Sequence, residues 1–233
     1  MAEQPSDITE TFVREVDENL RRDQLNEFFR KNGTWVLAGV ILFLLVSGGM
    51  IWWRQHQAQV AQQQVEKLAQ VYKDIGGGNV ADAPKQLDEL AESGSKAVRA
   101  SAKFARAALA LQQGDTKSAA ATYKAIAADD SLPKPYRDAA LIRGTTLDFD
   151  QLKPEEVIAR LEPLAKPGEP WFGTAGELTA LAMLKQGKTQ DAGQLFLAIG
   201  RDKGVPDTIR ARAVQVAGSL GLDTSSVPQI QAQ

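Results

Sequence analysis

The residue types that carry most enzymatic chemistry are nearly missing from this chain. It has one histidine, His56, and no cysteine. A single histidine cannot form a two-histidine metal site, and its place three residues after a long apolar run suits an interfacial polar residue better than a triad base. Without cysteine there is no thiol nucleophile. Gly187-Lys188-Thr189 copies the end of a phosphate-cradling loop, but that loop needs a second glycine five residues earlier, where Ala182 stands. Gly76, Gly77 and Gly78 have no Lys-Ser/Thr after them and read as a helix stop. Asp129–Asp130 and Glu155–Glu156 are paired carboxylates. Sequence neighbours do not share a helix face, so they read as solvated charges rather than an acid/base couple. The expectation is no catalytic residue, no metal ligand and no cofactor.

Charge points the same way. Residues 54–233 carry 22 basic and 21 acidic side chains. Nucleic-acid binding needs a basic stripe, so that partner class is set aside. No small-molecule substrate is expected either, since no catalytic or nucleotide-binding motif stands in the chain. Alanine is abundant, aromatics are few and Val-Ile-Thr alternation is scarce, which predicts an all-α fold.

The elements that must position any site begin with residues 33–53, GTWVLAGVILFLLVSGGMIWW, which hold no charge. As a helix this run reaches ~31 Å, about the hydrocarbon thickness of a bilayer. Trp35 stands at one end and Trp52 and Trp53 at the other, with Arg30, Lys31 and Arg54 as flanking charges. A buried core helix is the blander alternative, but such a helix rarely runs this long with only Thr34 and Ser47 as polar side chains. The preceding residues are acidic and no cleavage pattern follows Trp53, so the run reads as an uncleaved signal anchor. Five Lys/Arg lie upstream (Arg14, Arg21, Arg22, Arg30, Lys31) and three downstream (Arg54, Lys67, Lys73). That bias predicts a cytoplasmic N-terminus and a C-terminal domain outside the inner membrane, in a periplasm. The expected organisation is a cytoplasmic tail over 1–32, the span over 33–53, a helical domain over 54–222 and a disordered tail over 223–233. Within the first tail, Phe12, Val13, Val16 and Leu20 suggest a short surface helix, with disorder before about residue 10.

After the span, periodicity and Gly/Pro punctuation predict helices near 57–75, 82–93, 96–113, 115–128, 134–148, 154–162, 171–186, 188–201 and 206–220. These contain an internal repeat. LQQGDTKSAAATYKAI from residue 111 aligns with LKQGKTQDAGQLFLAI from residue 184. The offset of 73 continues downstream, where Pro133, Arg137 and Ala140 meet Pro206, Arg210 and Ala213. An offset of 73 is about two units of a helix-turn-helix repeat. Gly114 and Gly187 fall where one helix must turn sharply into the next. Ala119 and Ala192 allow close helix approach, and Tyr123 and Phe196 wedge between helices. Glycine, alanine five on and an aromatic nine on resembles the tetratricopeptide repeat. The fold predicted is a single membrane-spanning helix followed by a tetratricopeptide-like α-solenoid of three to four helix pairs. Such a solenoid offers a groove lined by the first helix of each pair. Arg99, Lys103, Arg106, Arg137 and Arg143 would give it basic character. Trp171, the one tryptophan outside the membrane region, is either a core anchor or a binding residue there.

FFRKNG at residues 28–33, the span running into WWRQHQ, and a degenerate repeat domain with GEPW at 168–171 and LKQGKTQDA at 184–192 together resemble the YfgM-like family, the ancillary subunits of the bacterial Sec translocon. The resemblance implies a non-catalytic, membrane-tethered scaffold that contacts translocon subunits, periplasmic chaperones and emerging secreted proteins. A scaffold in another cell-envelope assembly, for division or outer-membrane biogenesis, is the alternative, and a subunit of an enzyme complex the next.

Overall fold

A computed structural model describes the backbone of residues 6–225 and 227, and the side chains of Lys31, Thr34, Trp35, 37–225 and 227. The chain divides into two units, 1–60 and 61–233.

The first unit is the leading part of helix α1, which runs from Ser6 to Gly76. No proline lies between Pro5 and Pro84. The short tail helix expected ahead of the span is therefore the start of one continuous helix, and the backbone is helical from Ser6. Helix α1 is long and apolar enough to cross a membrane, and the apolar window within it buries nothing inside the protein. Phe43, Leu44 and Leu45 are each more than 60% exposed, a state that water would penalise and lipid would not.

The second unit holds the end of α1 and eight further helices: α2 (Ala83–Ala91), α3 (Lys96–Gln112), α4 (Thr116–Ala128), α5 (Lys134–Asp148), α6 (Pro154–Leu161), α7 (Phe172–Lys185), α8 (Thr189–Arg201) and α9 (Asp207–Ser219). All lie within two residues of the expected bounds. The described residues contain no strand. Proline in the first turn opens α2, α5 and α6, where a missing N–H costs nothing.

Packing is stepwise along the chain. Leu68 and Val71 of α1 share a core with Leu87 and Leu90 of α2 and Val98, Ala102 and Ala105 of α3. Ala100 and Ala107 of α3 join Ala119, Tyr123 and Ile126 of α4 and Ala140 of α5. Ile142 of α5 joins Val157 and Leu161 of α6 and Ala175 and Ala182 of α7. Phe172, Phe196, Ile199, Ala213 and Ala217 close the last core, which also buries Val227. Each core is shared only by neighbouring helices, the mark of a repeat architecture.

The repeat positions behave as their chemistry requires. Gly114 and Gly187 have φ of +79° and +74°. At each, two bonds close the helix end: Gly114 N to Leu111 O at 3.0 Å and Asp115 N to Ala110 O at 2.9 Å; Gly187 N to Leu184 O at 2.9 Å and Lys188 N to Met183 O at 3.0 Å. This is the Schellman arrangement. It recurs at Gly78 after α1 and at Gly221 after α9. Helix α5 lacks it: two residues past its end stands Asp150, and among the described residues no non-glycine residue has positive φ. Ala119, Ala192, Tyr123 and Phe196 are all buried.

Candidate partner groove

The first helix of each pair contributes to one groove. It has a volume of about 470 Å³ and is lined by Tyr72 from α1, Ser101 and Phe104 from α3, Tyr136, Ala139, Ile142, Arg143 and Thr146 from α5, and Trp171 and Thr174 at the start of α7. Helical phase explains the lining. On α5, positions 136, 139, 143 and 146 fall at i, i+3, i+7 and i+10, one continuous face.

Aromatic contacts organise the floor. The Phe104 ring lies 5.6 Å from that of Tyr123, tilted by 57°, and 6.4 Å from that of Tyr136, tilted by 52°. Tilted rings set a positive edge against a negative face. The Arg143 guanidinium carbon sits 5.7 Å over the Phe104 ring, within cation–π range. The Tyr72 hydroxyl donates to Ser101 O at 3.3 Å. Burial, then Tyr136, pushes the Tyr72 phenol up, so it stays a neutral donor. Thr146 donates to Ile142 O at 2.9 Å.

Of the six residues expected to line a groove, Arg143 and Trp171 are in this one. Trp171 also packs on the core between α5, α6 and α7, the anchor role weighed for it, while lining the hollow. Lys103 and Arg106 face a second hollow of about 380 Å³ beside Asp88, Ala91 and Thr122. Both are ion-paired there: Lys103 with Asp129 at 3.1 Å and Arg106 with Asp88 at 3.4 Å. Arg137 pairs with Asp130. The Arg99 Nε is buried without a hydrogen-bond partner and lines neither hollow. Tyr72, Phe104 and Tyr136 are the groove residues that charge counting overlooked.

The motifs with catalytic overtones sit in structural places. Lys188 is the N-cap of α8, and Thr189 its first residue, so Gly187-Lys188-Thr189 is a helix turn. Asp129 accepts from the Ser131 hydroxyl at 2.5 Å and from Lys103, and these hold its carboxyl down at about 2, Ser131 contributing most. Glu155 accepts from Gln186 at 2.8 Å. His56 stacks on Trp52, ring centroids 5.7 Å apart. No cluster of three or more potential metal ligands occurs among the described residues.

The residues flanking the apolar run are solvent-facing within the protein: Trp35, Trp52 and Trp53 are exposed, as are Lys31 and Arg54. Along α1, Trp35 and Trp52 are ~26 Å apart at the helical rise. The Arg30 side chain lies outside the described residues.

The family model for the tetratricopeptide repeat-like domain matches residues 26–204. No curated protein and no solved structure matches the chain. The match covers most of the chain, from within α1, including the apolar run, to the end of α8. The chain belongs to the tetratricopeptide repeat-like domain family.

Proposed function

We propose that this protein is a non-catalytic, membrane-tethered scaffold of the inner membrane whose repeat domain faces the periplasm. Its groove receives segments of other proteins, and its span sits beside the Sec translocon. The observation that carries the reading is the groove itself: Tyr72, Phe104, Tyr136 and Trp171 converge on one open hollow, the last three while also packing on the cores beside it. Support for the tether is an apolar helix with no covering contact, inside the region matched by the family model. Support for the translocon is the order of tail, span and GEPW-containing repeat domain that resembles the YfgM-like family.

Photocrosslinking residues placed along 34–53 and at Tyr136 and Thr174 test both surfaces. Translocon subunits are expected from the span, and chaperones or secreted proteins from the groove. Capture of division or outer-membrane assembly proteins instead would move the scaffold to those machines. Capture no different from that at exposed control positions on α4 would end the Sec assignment.

A further inference from the structure

The groove is mostly apolar, with hydroxyl groups along its walls and one full charge. Among the described residues that line it none is acidic, and Arg143 is the single cation. Three of the other basic residues weighed for this region are each held by a carboxylate: Lys103 by Asp129, Arg106 by Asp88 and Arg137 by Asp130. Arg143 is exposed, and among the described residues no carboxylate holds it; its guanidinium lies over the face of Phe104. A guanidinium lying over a ring keeps its edge N–H groups free to grip a carboxylate through two parallel bonds. Two hydroxyls nearby are already spent on backbone carbonyls, Tyr72 on Ser101 and Thr146 on Ile142.

We infer that the groove's occupant is a protein segment carrying an aromatic or aliphatic side chain within two residues of an aspartate or glutamate. The apolar side chain seats among Phe104, Tyr136 and Trp171, and the carboxylate meets Arg143. This rests on the scaffold reading above. Charge decides between ligand classes. One guanidinium matches one carboxylate. A phosphorylated side chain, near −2 at neutral pH, would lack a second cation. Nucleic acid would need several. The volume, about 470 Å³, is in the range that holds a drug-sized group, so it takes a few side chains of a segment and not a folded element.

The test uses the full chain in lipid nanodiscs and a displayed library of randomised nonapeptides. Selected peptides should be enriched in an apolar residue beside Asp or Glu. Arg143→Met should weaken a selected peptide about tenfold, as expected for one charge-assisted bond pair. Arg143→Glu should turn the selection toward Lys or Arg. Arg143 is exposed, so both variants should fold, with at most a small fall in melting temperature from the lost contact with Phe104. Peptides selected without acidic enrichment, or a selection unmoved by Arg143→Glu, would overturn the inference and leave the scaffold reading standing. No enriched peptide at all would sink both. Laurate held as tightly as the best peptide, and lost in Arg143→Met, would make the groove a fatty-acid site and also overturn it.

Discussion

Asp129 and Asp202, 73 residues apart, close the same turn. Asp129 Oδ1 accepts from Ser131 N at 3.1 Å, and Asp202 Oδ1 accepts from Gly204 N at 2.8 Å. Leu132 N and Val205 N then return to the two aspartate carbonyls, at 3.0 and 3.1 Å. Both turns deliver a buried apolar residue, Leu132 or Val205, and then a proline, Pro133 or Pro206, that opens the next helix. The repeat is therefore a repeat of hydrogen bonds as well as of letters. The second carboxylate oxygen has diverged: Asp129 holds Lys103, while Asp202 accepts from Gly168 N at 3.1 Å.

Gly114 tests the helix-end closure. A Cβ at this position would meet nothing within 4 Å, so any loss on substitution comes from the backbone alone. Gly114→Val should cost of order 1–3 kcal/mol, because a β-branched residue resists positive φ. Gly114→Asn should cost less, since asparagine tolerates that region. Urea denaturation of the two variants measures the difference. Equal stability of parent and Gly114→Val would show that the turn relaxes out of its left-handed conformation.

Gly200 and Gly193 separate tight packing from loose packing. A Cβ on Gly200 would lie 2.5 Å from Val214 Cγ2, a β-branched side chain with little rotamer freedom. Gly200→Ala should cost about 1–3 kcal/mol, and Val214→Ala in the same chain should recover part of it. On Gly193 the obstacle is the far end of Leu222, which can swing away. Gly193→Ala should be the milder change, although its obstacle is the closer one. Thermal melts that rank the two the other way would contradict this.

Helix positions were readable because glycine and proline punctuate the chain and act locally: Gly114 and Gly187 need no distant contact to end a helix. The composition of the groove was harder to read. Tyr72, Phe104, Tyr136 and Trp171 lie on four helices, and only packing brings them together. Counting basic residues ignored phase. Ser101 and Phe104 share one face of α3, while Lys103 and Arg106 share another that points to Asp88 and Thr122. The spacing of Tyr136, Ala139, Arg143 and Thr146 was the local signal that marked the right face.

Asp129 should leave a mark on acid stability. Its carboxyl falls from an ordinary 3.8 to about 2, through the Ser131 hydroxyl first and Lys103 next. A depressed folded value means stability that is complete above the unfolded value and lost as pH falls through the folded one. The loss should therefore run between about pH 4 and pH 2, and Asp129→Asn should remove it by already lacking the charge. Chemical denaturation at stepped pH is the measurement. Parent and variant curves that stay parallel down to pH 2 would show that the carboxylate contributes nothing to folding.

The tether and the domain can be tested apart. Residues 57–233 contain the whole second unit, whose cores are shared only among its own helices. That fragment should be soluble and almost wholly helical, because stacked repeats bury each other's apolar faces without help from a span. Circular dichroism with substantial β content, or a fragment recovered only as aggregate, would show that the end of α1 needs its apolar first part to hold Leu68 and Val71 in place. In the full chain, the five-to-three excess of Lys and Arg before the apolar run carries the proposal of a cytoplasmic N-terminus. A reporter active only outside the cytoplasm, joined after Gln233, should be active. Replacing Arg21, Arg22 and Arg30 with glutamine should erode that activity, since the bias would then favour the other orientation. A silent reporter in the parent, with a cytoplasmic reporter active at the same position, would place the groove in the cytoplasm and take secreted proteins off its list of partners.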